Sequence, residues 1–463
     1  MIVMKFGGTS VEDAVAMRNV IAIARHQLEV SRRQAQPAPM IVVSACAGIT
    51  NKLIKLAELS VAGKRDEALG LLGEISAHHS ILIERLLTNQ EKAKRFVEKL
   101  THNLAALVNA ADAFGEFSPR VVDAFASHGE LFSSFILAEA MNEQGARTEW
   151  KDARELLVTD ENFGKAQPIW DVSERNVKRD VAPILSGGAI VVSQGYIGAT
   201  QSGKTTTLGR GGSDYSAAIF GAMLGATAIQ IWTDVDGVMT ADPRLVPEAR
   251  RLKALTFAEA AELAYSGAKV LHPSTIRPAV AKNIPVYVLN SKRPECEGTL
   301  IANGIESIEG LVKSIAHKTG QTIINLTSTQ MLGTFGFLRQ VAQVFEKYET
   351  PIDMISTSEV SISLTIGDKT HLNKIVSELE RFAETEIEND IATISVVGDS
   401  IRRSPGVAAR VFQAISDINV KMISQGASEI NIGFAIDEAD MRRAIKLLHD
   451  EFFAEVKEGA IFA

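Results

Sequence analysis

A lysine and two glycines near the start of the chain, in the stretch KFGGTSV, have the residue types of an anion site. Four apolar residues run into Lys5, and Gly7 and Gly8 follow before an acidic, helix-like segment. Glycines let backbone N–H groups approach an anion, and a strand that leads into a turn at a helix N-terminus is a common phosphate-binding layout. The lysine precedes the glycines, whereas a Walker A loop has it after them, so the pattern predicts a different kind of phosphate site.

A second glycine-rich stretch, TTTLGRGGSDYSAA (205–218), places an arginine between glycines at a predicted helix start. Gly209, Gly211 and Gly212 surround Arg210, and Asp214 suits a helix cap or a ligand contact. An arginine held between glycines gains little from packing. We therefore favour a carboxylate or phosphate partner for it over a surface role.

Two further stretches add cations to this set. WTDVDGVMTADPR (232–244) follows an apolar strand and ends in Arg244, and SGAKVLHPST (266–275) contains Lys269. Together with Lys5 and the glycine turns, these cations would hold the triphosphate of ATP, with Mg²⁺ held by the phosphate oxygens. Transfer of the γ-phosphoryl group depends mostly on positioning and charge stabilisation, so the combination predicts a phosphoryl-transfer site.

The elements that must position these residues alternate between strand and helix over residues 1–300. Short apolar or β-branched runs occur at 39–45, 187–198, 227–238 and 284–290, and the segments between them have helical apolar spacing. Buried parallel strands joined by helices predict an α/β sandwich with its ligands at the carboxyl ends of the strands. Residues 61–115 add helices without strands, which we interpret as a helical excursion beside the site.

The last third of the chain contains an internal repeat. Residues 333–366 are echoed by residues 404–436, and the triplet MIS at 354–356 recurs at 422–424. Each copy has a glycine-containing turn, an amphipathic helix and an alternating strand, which predicts a pair of small α+β units. Such a pair suggests paired ligand sites or a dimer interface, and a repeat kept only for packing is the alternative.

The length, charge and composition of the chain argue against several classes of protein. A chain of 463 residues is too long for one core, and a net charge of −8 argues against a nucleic-acid binder. No apolar run approaches the roughly 18 residues of a membrane span, and the N-terminus lacks a secretion-signal pattern. Only two cysteines occur, Cys46 and Cys296, and they have no CxxC or metal-ligand spacing. We therefore predict that the protein is located in a reducing cytoplasm. We interpret His78-His79 as a solvated helix face rather than as metal ligands.

Six motifs, in order over residues 5–273, resemble those of the aspartate kinases of the amino-acid kinase superfold. They are KFGGTSV, SACAGITN (44–51), SHGELFSS (127–134), TTTLGRGGSDYSA, WTDVDGVMTADPR and GAKVLHP. MLGTFGFL (331–338) and ISTSEVSISL (355–364) resemble the first of the family's two ACT regulatory domains. The chain resembles the monofunctional, lysine-sensitive type of aspartate kinase.

The resemblance implies an architecture. We expect a three-layer α/β sandwich with a mainly parallel sheet, followed by two α+β, ferredoxin-like ACT domains. The implied bounds are 1–300 for the kinase domain, 311–390 for the first ACT domain and 391–463 for the second. Strand 311–318 is a candidate to pair with the second ACT domain.

The resemblance also implies roles for individual residues. The residues it places at the ATP site are Lys5, Gly7, Gly8, Thr9, Thr233, Asp234, Met239, Arg244, Lys269 and Val270. Those it places at the aspartate site are Ser44, Ala45, Thr50, Glu130, Tyr196, Arg210, Gly211, Gly212, Ser213 and Asp214. Those it places at the effector site are Met331, Thr334, Phe337, Leu338, Ile352, Asp353, Ser358, Glu359 and Val360.

Within this set we expect Lys5, Arg210 and Asp214 to be the catalytic residues. Glu130 would meet the α-ammonium group of aspartate, and Arg210 would bind its α-carboxylate. The β-carboxyl group has a reference pKa of about 3.9, so at neutral pH it is already an anionic nucleophile and needs no general base. Asp214 is therefore interpreted as an orienting residue.

The implied reaction is ATP-dependent phosphorylation of the β-carboxylate of L-aspartate, the first step of the lysine, threonine and methionine branch. We expect feedback inhibition through the ACT domains by lysine, with threonine as the alternative. A glutamate or acetylglutamate kinase and a catalytically silent ACT-based amino-acid sensor are the competing functions. We expect a homodimer through the ACT domains, with a tetramer left open, a cytoplasmic location, no nucleic-acid or membrane partner and no fused homoserine dehydrogenase.

Overall fold

The computed structural model of the chain describes residues 1–268, 273–305, 311–328, 335–455, 459 and 461–463. The chain divides into two compact units. The first unit comprises Met1–Val238 and Leu271–Asn303, and the second comprises Met239–Val270 and Gly304–Ala463. Residues 239–270, which the sequence analysis placed in the kinase domain, belong to the second unit by their contacts. Within the described ranges, no helix is long and apolar enough to cross a membrane.

Strands and helices alternate along most of the chain. The strands are β1 (Ile2–Phe6), β2 (Met40–Val43), β3 (Thr148–Lys151), β4 (Val158–Thr159), β5 (Ile190–Gln194), β6 (Ile197–Thr200), β7 (Thr205–Thr207), β8 (Ala228–Thr233), β9 (Ala254–Leu255), β10 (Val286–Asn290), β11 (Thr299–Ile301), β12 (Val312–Thr327), β13 (Met354–Thr357), β14 (Ser361–Ile366), β15 (Glu384–Gly398), β16 (Met422–Ser424) and β17 (Asn431–Asp437). The helices are α1 (Ala14–Arg33), α2 (Ile49–Val61), α3 (Arg65–Leu86), α4 (Glu91–Phe114), α5 (Pro119–Ala126), α6 (His128–Glu143), α7 (Ala153–Leu156), α8 (Trp170–Asp180), α9 (Ala182–Ser186), α10 (Gly212–Leu224), α11 (Phe257–Tyr265), α12 (Arg277–Ala281), α13 (Phe337–Lys347), α14 (Leu372–Leu379), α15 (Val407–Ala414) and α16 (Met441–Phe453).

The main sheet of the first unit is built around β1. This strand pairs in parallel with β2 on one side and with β8 on the other, and the order across the unit is β3-β5-β2-β1-β8-β10-β11. The neighbours in this order are parallel except for β11, which runs antiparallel to β10. Every residue of β2 and β5 is buried, as expected for parallel strands covered on both faces. The predicted mainly parallel α/β fold is confirmed, and the carboxyl ends of β1, β2 and β8 lie side by side.

Two predicted elements of the first unit have different bounds in the structure. The run at 187–198 forms two strands, β5 and β6, because the chain turns between them at Gly195 and Tyr196. Tyr196 has a φ of 70°, and a Cβ on Gly195 would lie 2.6 Å from Cβ of Ser213. The strand-free helical region extends from α2 to α6 and is therefore longer than 61–115.

The prediction of a solvated helix face at His78-His79 is wrong for His79. Its ring is fully buried in α3 and stacks on Phe132 with 4.3 Å between the ring centroids. Nδ1 donates to the carbonyl of Ile75 at 2.7 Å, and burial lowers the pKa of His79 to about 3. Two adjacent polar residues on a helix point in different directions, so the dipeptide alone did not indicate which of them faces the core.

The second unit contains an antiparallel sheet in the order β13-β14-β12-β15-β17-β16. The helix–strand–strand series α13-β13-β14 recurs as α15-β16-β17, and the repeated MIS triplets form β16 and the first three residues of β13. The predicted pair of α+β units is confirmed. The long β12 serves both halves, since 321–327 pairs with 384–391 and 312–318 pairs with 393–398.

Candidate active site

A cavity of about 520 Å³ lies in the first unit, beside the ends of β1 and β2. Its lining includes all ten residues predicted for the aspartate site, together with Lys5 and Gly8. The lining residues that the sequence analysis did not assign are Cys46, Ala47, Gly48, Gly164 and Gly209. The structure thus brings together side chains from four separate motifs, over a span of more than two hundred residues.

Lys5 and Asp214 form an ion pair at the wall of this cavity. Nζ of Lys5 lies 2.7 Å from Oδ1 of Asp214, and the two side chains are 11% and 16% exposed. Lys5 is near the carboxyl end of β1, and Asp214 is in the first turn of α10. The pair therefore links the central strand to a helix N-terminus, where an anion is favoured.

The turns that follow β1 and β2 are in direct contact. The N–H of Ala47 donates to the carbonyl of Gly8 at 3.2 Å, and the N–H of Ser44 donates to the carbonyl of Phe6 at 3.1 Å. A Cβ on Gly8 would lie 3.0 Å from the carbonyl oxygen of Ala45, which is tighter than ordinary contact. Glycine at this position is explained by the close approach of the two backbones.

Glu130 projects into the cavity from the buried helix α6. It is 3% exposed, and its Oε2 has no hydrogen-bond partner among the described residues. Burial raises the pKa of Glu130 to about 8, although a hydrogen bond from the backbone of Ala45 opposes this rise. A buried carboxylate oxygen without a partner is costly, so this geometry favours a cationic ligand group.

Helix α6 also holds the turn that follows β2. The hydroxyl of Ser133 donates to the carbonyl of Ser44 at 2.7 Å. The SHGELFSS motif therefore contributes both a charged group and a support for the neighbouring loop. Ser133 was not among the predicted site residues, because its role depends on a loop 89 positions earlier.

The GRGG turn leads into α10 with two glycines in the left-handed region. Gly209 and Gly211 have φ values of 78° and 72°, and a Cβ on Gly212 would lie 2.7 Å from the ring of Tyr196. These constraints exclude side chains on both sides of Arg210, which is exposed and lines the cavity. The turn thus leaves the guanidinium group available for an anionic ligand.

Asp123 is a buried residue near the site that the sequence analysis missed. Its Oδ2 accepts from the N–H groups of Gly164 and Thr207, both at 2.9 Å, and its Oδ1 accepts from the hydroxyl of Thr207 at 2.6 Å. Burial raises the pKa of Asp123, and these three donors counteract the rise. The carboxylate fixes Gly164, whose carbonyl lies 3.0 Å from the position of a Cβ on Gly209. A lone acidic residue within the apolar sequence VVDAF was its only signal.

The predicted ATP residues of the first unit lie next to β1 rather than in the cavity lining, apart from Lys5 and Gly8. Thr9 is in a 3-10 turn at Gly8–Ser10, and the N–H of Gly7 donates to the carbonyl of Trp232 at 3.1 Å. At the end of β8 the hydroxyl of Thr233 donates to Oδ1 of Asp234 at 3.2 Å. These residues lie at the adjacent carboxyl ends of β1 and β8.

Other predicted ATP residues belong to the second unit. Met239 accepts a hydrogen bond at its carbonyl from the hydroxyl of Ser314, at 2.8 Å. Arg244 is 76% exposed and pairs with Asp242, with 2.6 Å between Nη2 and Oδ2. Lys269 and Val270 lie outside the described residues.

The predicted effector residues also lie in the second unit. Nζ of Lys318 lies 2.7 Å from Oδ1 of Asp353 and 4.4 Å from the ring centroid of Tyr265. These three residues line a cavity of about 290 Å³.

Of the other effector residues, those that the structure describes are not in that lining. Phe337 is buried and Ile352 is partly buried, while the exposed ones are Leu338, Ser358, Glu359 and Val360. Met331 and Thr334 lie outside the described residues.

Comparisons with known proteins agree on the family over the full length. The model of the amino acid kinase family matches residues 1–290, and an ACT domain model matches residues 394–452. The lysine-sensitive aspartokinase 3 of Escherichia coli (strain K12) is 37% identical over 461 residues, which cover 98% of this chain and 99% of that protein.

Two crystal structures of E. coli aspartokinase III are similar to the whole chain. The complex with aspartate and ADP has a TM-score of 0.84 at 36% identity and covers 98% of this chain and 100% of that one. The complex with lysine and aspartate has a TM-score of 0.80 at 35% identity, with coverage of 98% and 99%.

Proposed function

Because this chain belongs to the amino acid kinase family and, within it, to the aspartokinases, we propose that it phosphorylates the β-carboxylate of L-aspartate with MgATP and that lysine inhibits it. The products are 4-phospho-L-aspartate and ADP. The observation that carries the substrate assignment is the single cavity that contains Glu130, Arg210 and the Lys5–Asp214 pair. Its charges are complementary to an amino acid with a second carboxylate.

Two residues of the cavity match the backbone charges of an amino acid. The unpartnered Oε2 of Glu130 accepts from the α-ammonium group, which satisfies a buried oxygen and favours the ionised carboxylate. Arg210 donates to the α-carboxylate in a bidentate arrangement. With both ends of the backbone bound, the β-carboxylate is directed toward Lys5.

The phosphoryl transfer needs no proton transfer. An oxygen of the β-carboxylate attacks the γ-phosphorus, and the bond from that phosphorus to the β,γ-bridging oxygen breaks. The electron pair of the broken bond leaves with ADP. The main obstacle is repulsion between two anions, and the ammonium group of Lys5 reduces it at the reacting oxygens. Asp214 holds Lys5 in place through the 2.7 Å ion pair.

The turn after β1 fits the phosphates of the nucleotide. The N–H of Gly7 is bonded to the carbonyl of Trp232, so Gly8, which begins the short turn after β1, is the glycine that would present its backbone to a phosphate. Thr9 and Thr233 add hydroxyl groups beside it. Mg²⁺ enters with ATP as part of the substrate. Asp214 is already paired with Lys5, so the phosphate oxygens hold the ion.

Inhibition by lysine acts through the second unit. The carboxylate of Asp353 already accepts an ammonium group, that of Lys318, and so has the geometry to accept the ε-ammonium of an effector. The sheet of this unit ends in β13 on one side and β16 on the other. Within the described part of this unit, neither edge strand has a hydrogen-bonded neighbour on its outer side, and such edges suit a homodimer through the ACT domains. We place the enzyme in the cytoplasm.

The test is phosphoryl transfer from MgATP with hydroxylamine as the trap for the acyl phosphate. L-Aspartate and L-glutamate are compared, each with and without lysine or threonine. We expect hydroxamate from aspartate only, and less of it when lysine is present. Hydroxamate from glutamate would contradict the substrate assignment, and inhibition by threonine alone would contradict the effector. ATP binding without any product would favour a silent amino-acid sensor.

A further inference from the structure

Cys46, His78 and His79 bring three metal-ligating side chains together beside the candidate active site. One ligand atom from each residue lies within 4.8 Å of the other two. Cys46 is in the turn between β2 and α2, and both histidines are in α3. Neither the proposed phosphoryl transfer nor the proposed inhibition by lysine uses this cluster.

The hydrogen bonding of His79 leaves one ring nitrogen available. Nδ1 donates its proton to the carbonyl of Ile75 at 2.7 Å, so Nε2 carries a lone pair. That nitrogen is buried and has no hydrogen-bond partner among the described residues. A histidine that ligates a metal usually donates its other N–H to a carbonyl in this way.

His78 supplies a second buried ring nitrogen. Its Nε2 is also buried without a partner within the described residues, and the two rings meet edge to face with 5.1 Å between their centroids. Consecutive helical residues normally point about 100° apart, so the approach of one ligand atom from each ring to within 4.8 Å of the other and of Cys46 is not a consequence of helix geometry. Packing against Phe132 explains the ring of His79 but not the two unpartnered nitrogens.

We propose that Cys46, His78 and His79 bind a thiophilic divalent cation, with Zn²⁺ as the best match. A thiolate and two neutral imidazoles are the ligand types that Zn²⁺ prefers, whereas Mg²⁺ prefers oxygen ligands. Three protein ligands leave a fourth position for water. The site is thus chemically distinct from the Mg²⁺ that accompanies ATP, and it does not depend on the proposed kinase activity.

Binding exchanges a proton for the metal ion. The thiol of Cys46 donates to the carbonyl of Val11 at 3.0 Å and therefore carries a proton in the metal-free protein. When Zn²⁺ binds, the S–H bond breaks, an S–Zn bond forms and the proton passes to the buffer.

An ion at this position would join the substrate cavity to the helical region. Cys46 lines the cavity and follows Ser44 and Ala45 in the same turn. A bond from its sulfur through the metal to α3 would hold this turn in place, independently of Ser133. The consequence is a stabilised aspartate-binding loop.

The test uses Co²⁺ alone, added to the full-length reduced protein without ATP or aspartate. We expect one Co²⁺ per chain, with a thiolate-to-cobalt charge-transfer band and the visible bands of tetrahedral cobalt, and we expect Zn²⁺ to displace it. Cys46→Ser should remove the charge-transfer band, and His79→Gln should weaken binding at least tenfold. His78→Gln, at a partly exposed position, is a second ligand variant if His79→Gln fails to fold.

Two matched controls separate this site from adventitious binding. Cys296→Ser removes the other cysteine, and His26→Gln removes an exposed histidine of α1, so both should bind Co²⁺ like the parent protein. No charge-transfer band in the parent protein would overturn the proposal. An unchanged band in Cys46→Ser, or a band lost in Cys296→Ser instead, would overturn it as well.

Discussion

Nζ of Lys5 lies 2.7 Å from Oδ1 of Asp214, so a cation at the end of the central strand and a carboxylate at the start of α10 neutralise each other. Both side chains are largely buried, so removal of either one would leave a buried charge without its partner and destabilise the fold. The triphosphate would give the ammonium group a second anionic contact without removing the first. In the proposed reaction Asp214 positions Lys5, and neither group has to exchange a proton.

Replacement of Lys5 by Met should mainly affect the chemical step. The ammonium group offsets charge repulsion in the transition state, and loss of one such contact typically lowers kcat by about 10²–10³-fold. Steady-state hydroxamate formation measures this, with Lys55→Met as the control because Lys55 pairs with Glu58 on the surface. An unchanged kcat in Lys5→Met would rule out the assigned role.

Replacement of Arg210 by Ala should instead raise the KM for aspartate. Hydrogen bonds to charged groups contribute about 1.5–3 kcal/mol, so we expect an increase of about 10–150-fold with kcat within a few-fold of the parent. Arg210→Lys should be intermediate, since it keeps the charge but not the bidentate geometry. Arg95→Ala, at an exposed position in α4, is the control. A fall in kcat at constant KM would contradict a role in carboxylate binding.

The sequence predicted the glycine turns at Gly8 and Gly211 because such turns follow parallel strands or precede helices, where local rules hold. Glu130 could not be found that way, since α6 is buried along nearly its whole length and its pattern does not single out one residue. It was predicted only from the resemblance to a family. Local pattern therefore predicted the glycine turns but not Glu130, the carboxylate that we propose for substrate recognition.

Long-range contacts account for what was missed. The donors to Asp123 lie 41 and 84 positions later in the chain, so no local motif connects them. His79 was predicted to be solvated, whereas its ring is buried against Phe132 on another helix. Both residues depend on how helices of the strand-free region pack, which periodicity alone does not determine.

The affinity for aspartate should depend on the ionisation of Glu130. Burial raises its pKa to about 8 in the protein without substrate, and only the ionised form attracts the α-ammonium group. The KM for aspartate should therefore fall as pH rises from 6 to 8, by up to about tenfold per unit, and level off above the pKa. Glu130→Gln should have a higher KM that varies little over this range. A steep profile in Glu130→Gln would assign the titration to another group.

The same carboxyl group should lower the stability of the fold as the pH rises from 4.5 to about 8. Its folded-state pKa is above the ordinary value of 4.5, so between that value and about 8 the folded state holds a proton that the unfolded state has lost. The contribution of this group to the free energy of unfolding therefore decreases as the pH rises through this window. Thermal unfolding without substrate should give Glu130→Gln a higher Tm than the parent at pH 8 and a similar Tm at pH 5. A Tm difference that does not depend on pH would contradict this linkage.

Asp123→Ala should destabilise the first unit. It leaves the N–H groups of Gly164 and Thr207 and the hydroxyl of Thr207 without their acceptor, at a cost of about 2–4 kcal/mol. Urea unfolding measures the loss, with Asp66→Ala, at an exposed position in α3, expected to change stability by less than about 0.5 kcal/mol. Equal effects of the two substitutions would show that the Asp123 network contributes no more than a surface residue.

Lysine sensitivity should depend on Asp353, whose Oδ1 lies 2.7 Å from Nζ of Lys318. Asp353→Ala removes the carboxylate that would bind the ε-ammonium, so half-maximal inhibition should require at least tenfold more lysine while kcat and the KM for aspartate are retained. Lys318→Met leaves the carboxylate without its internal cation, so inhibition should occur at lower lysine concentrations. Asp368→Ala, at an exposed turn of the same unit, should leave the inhibition curve unchanged. If Lys318→Met instead weakened inhibition, Lys318 would be part of the effector site rather than a competitor for Asp353.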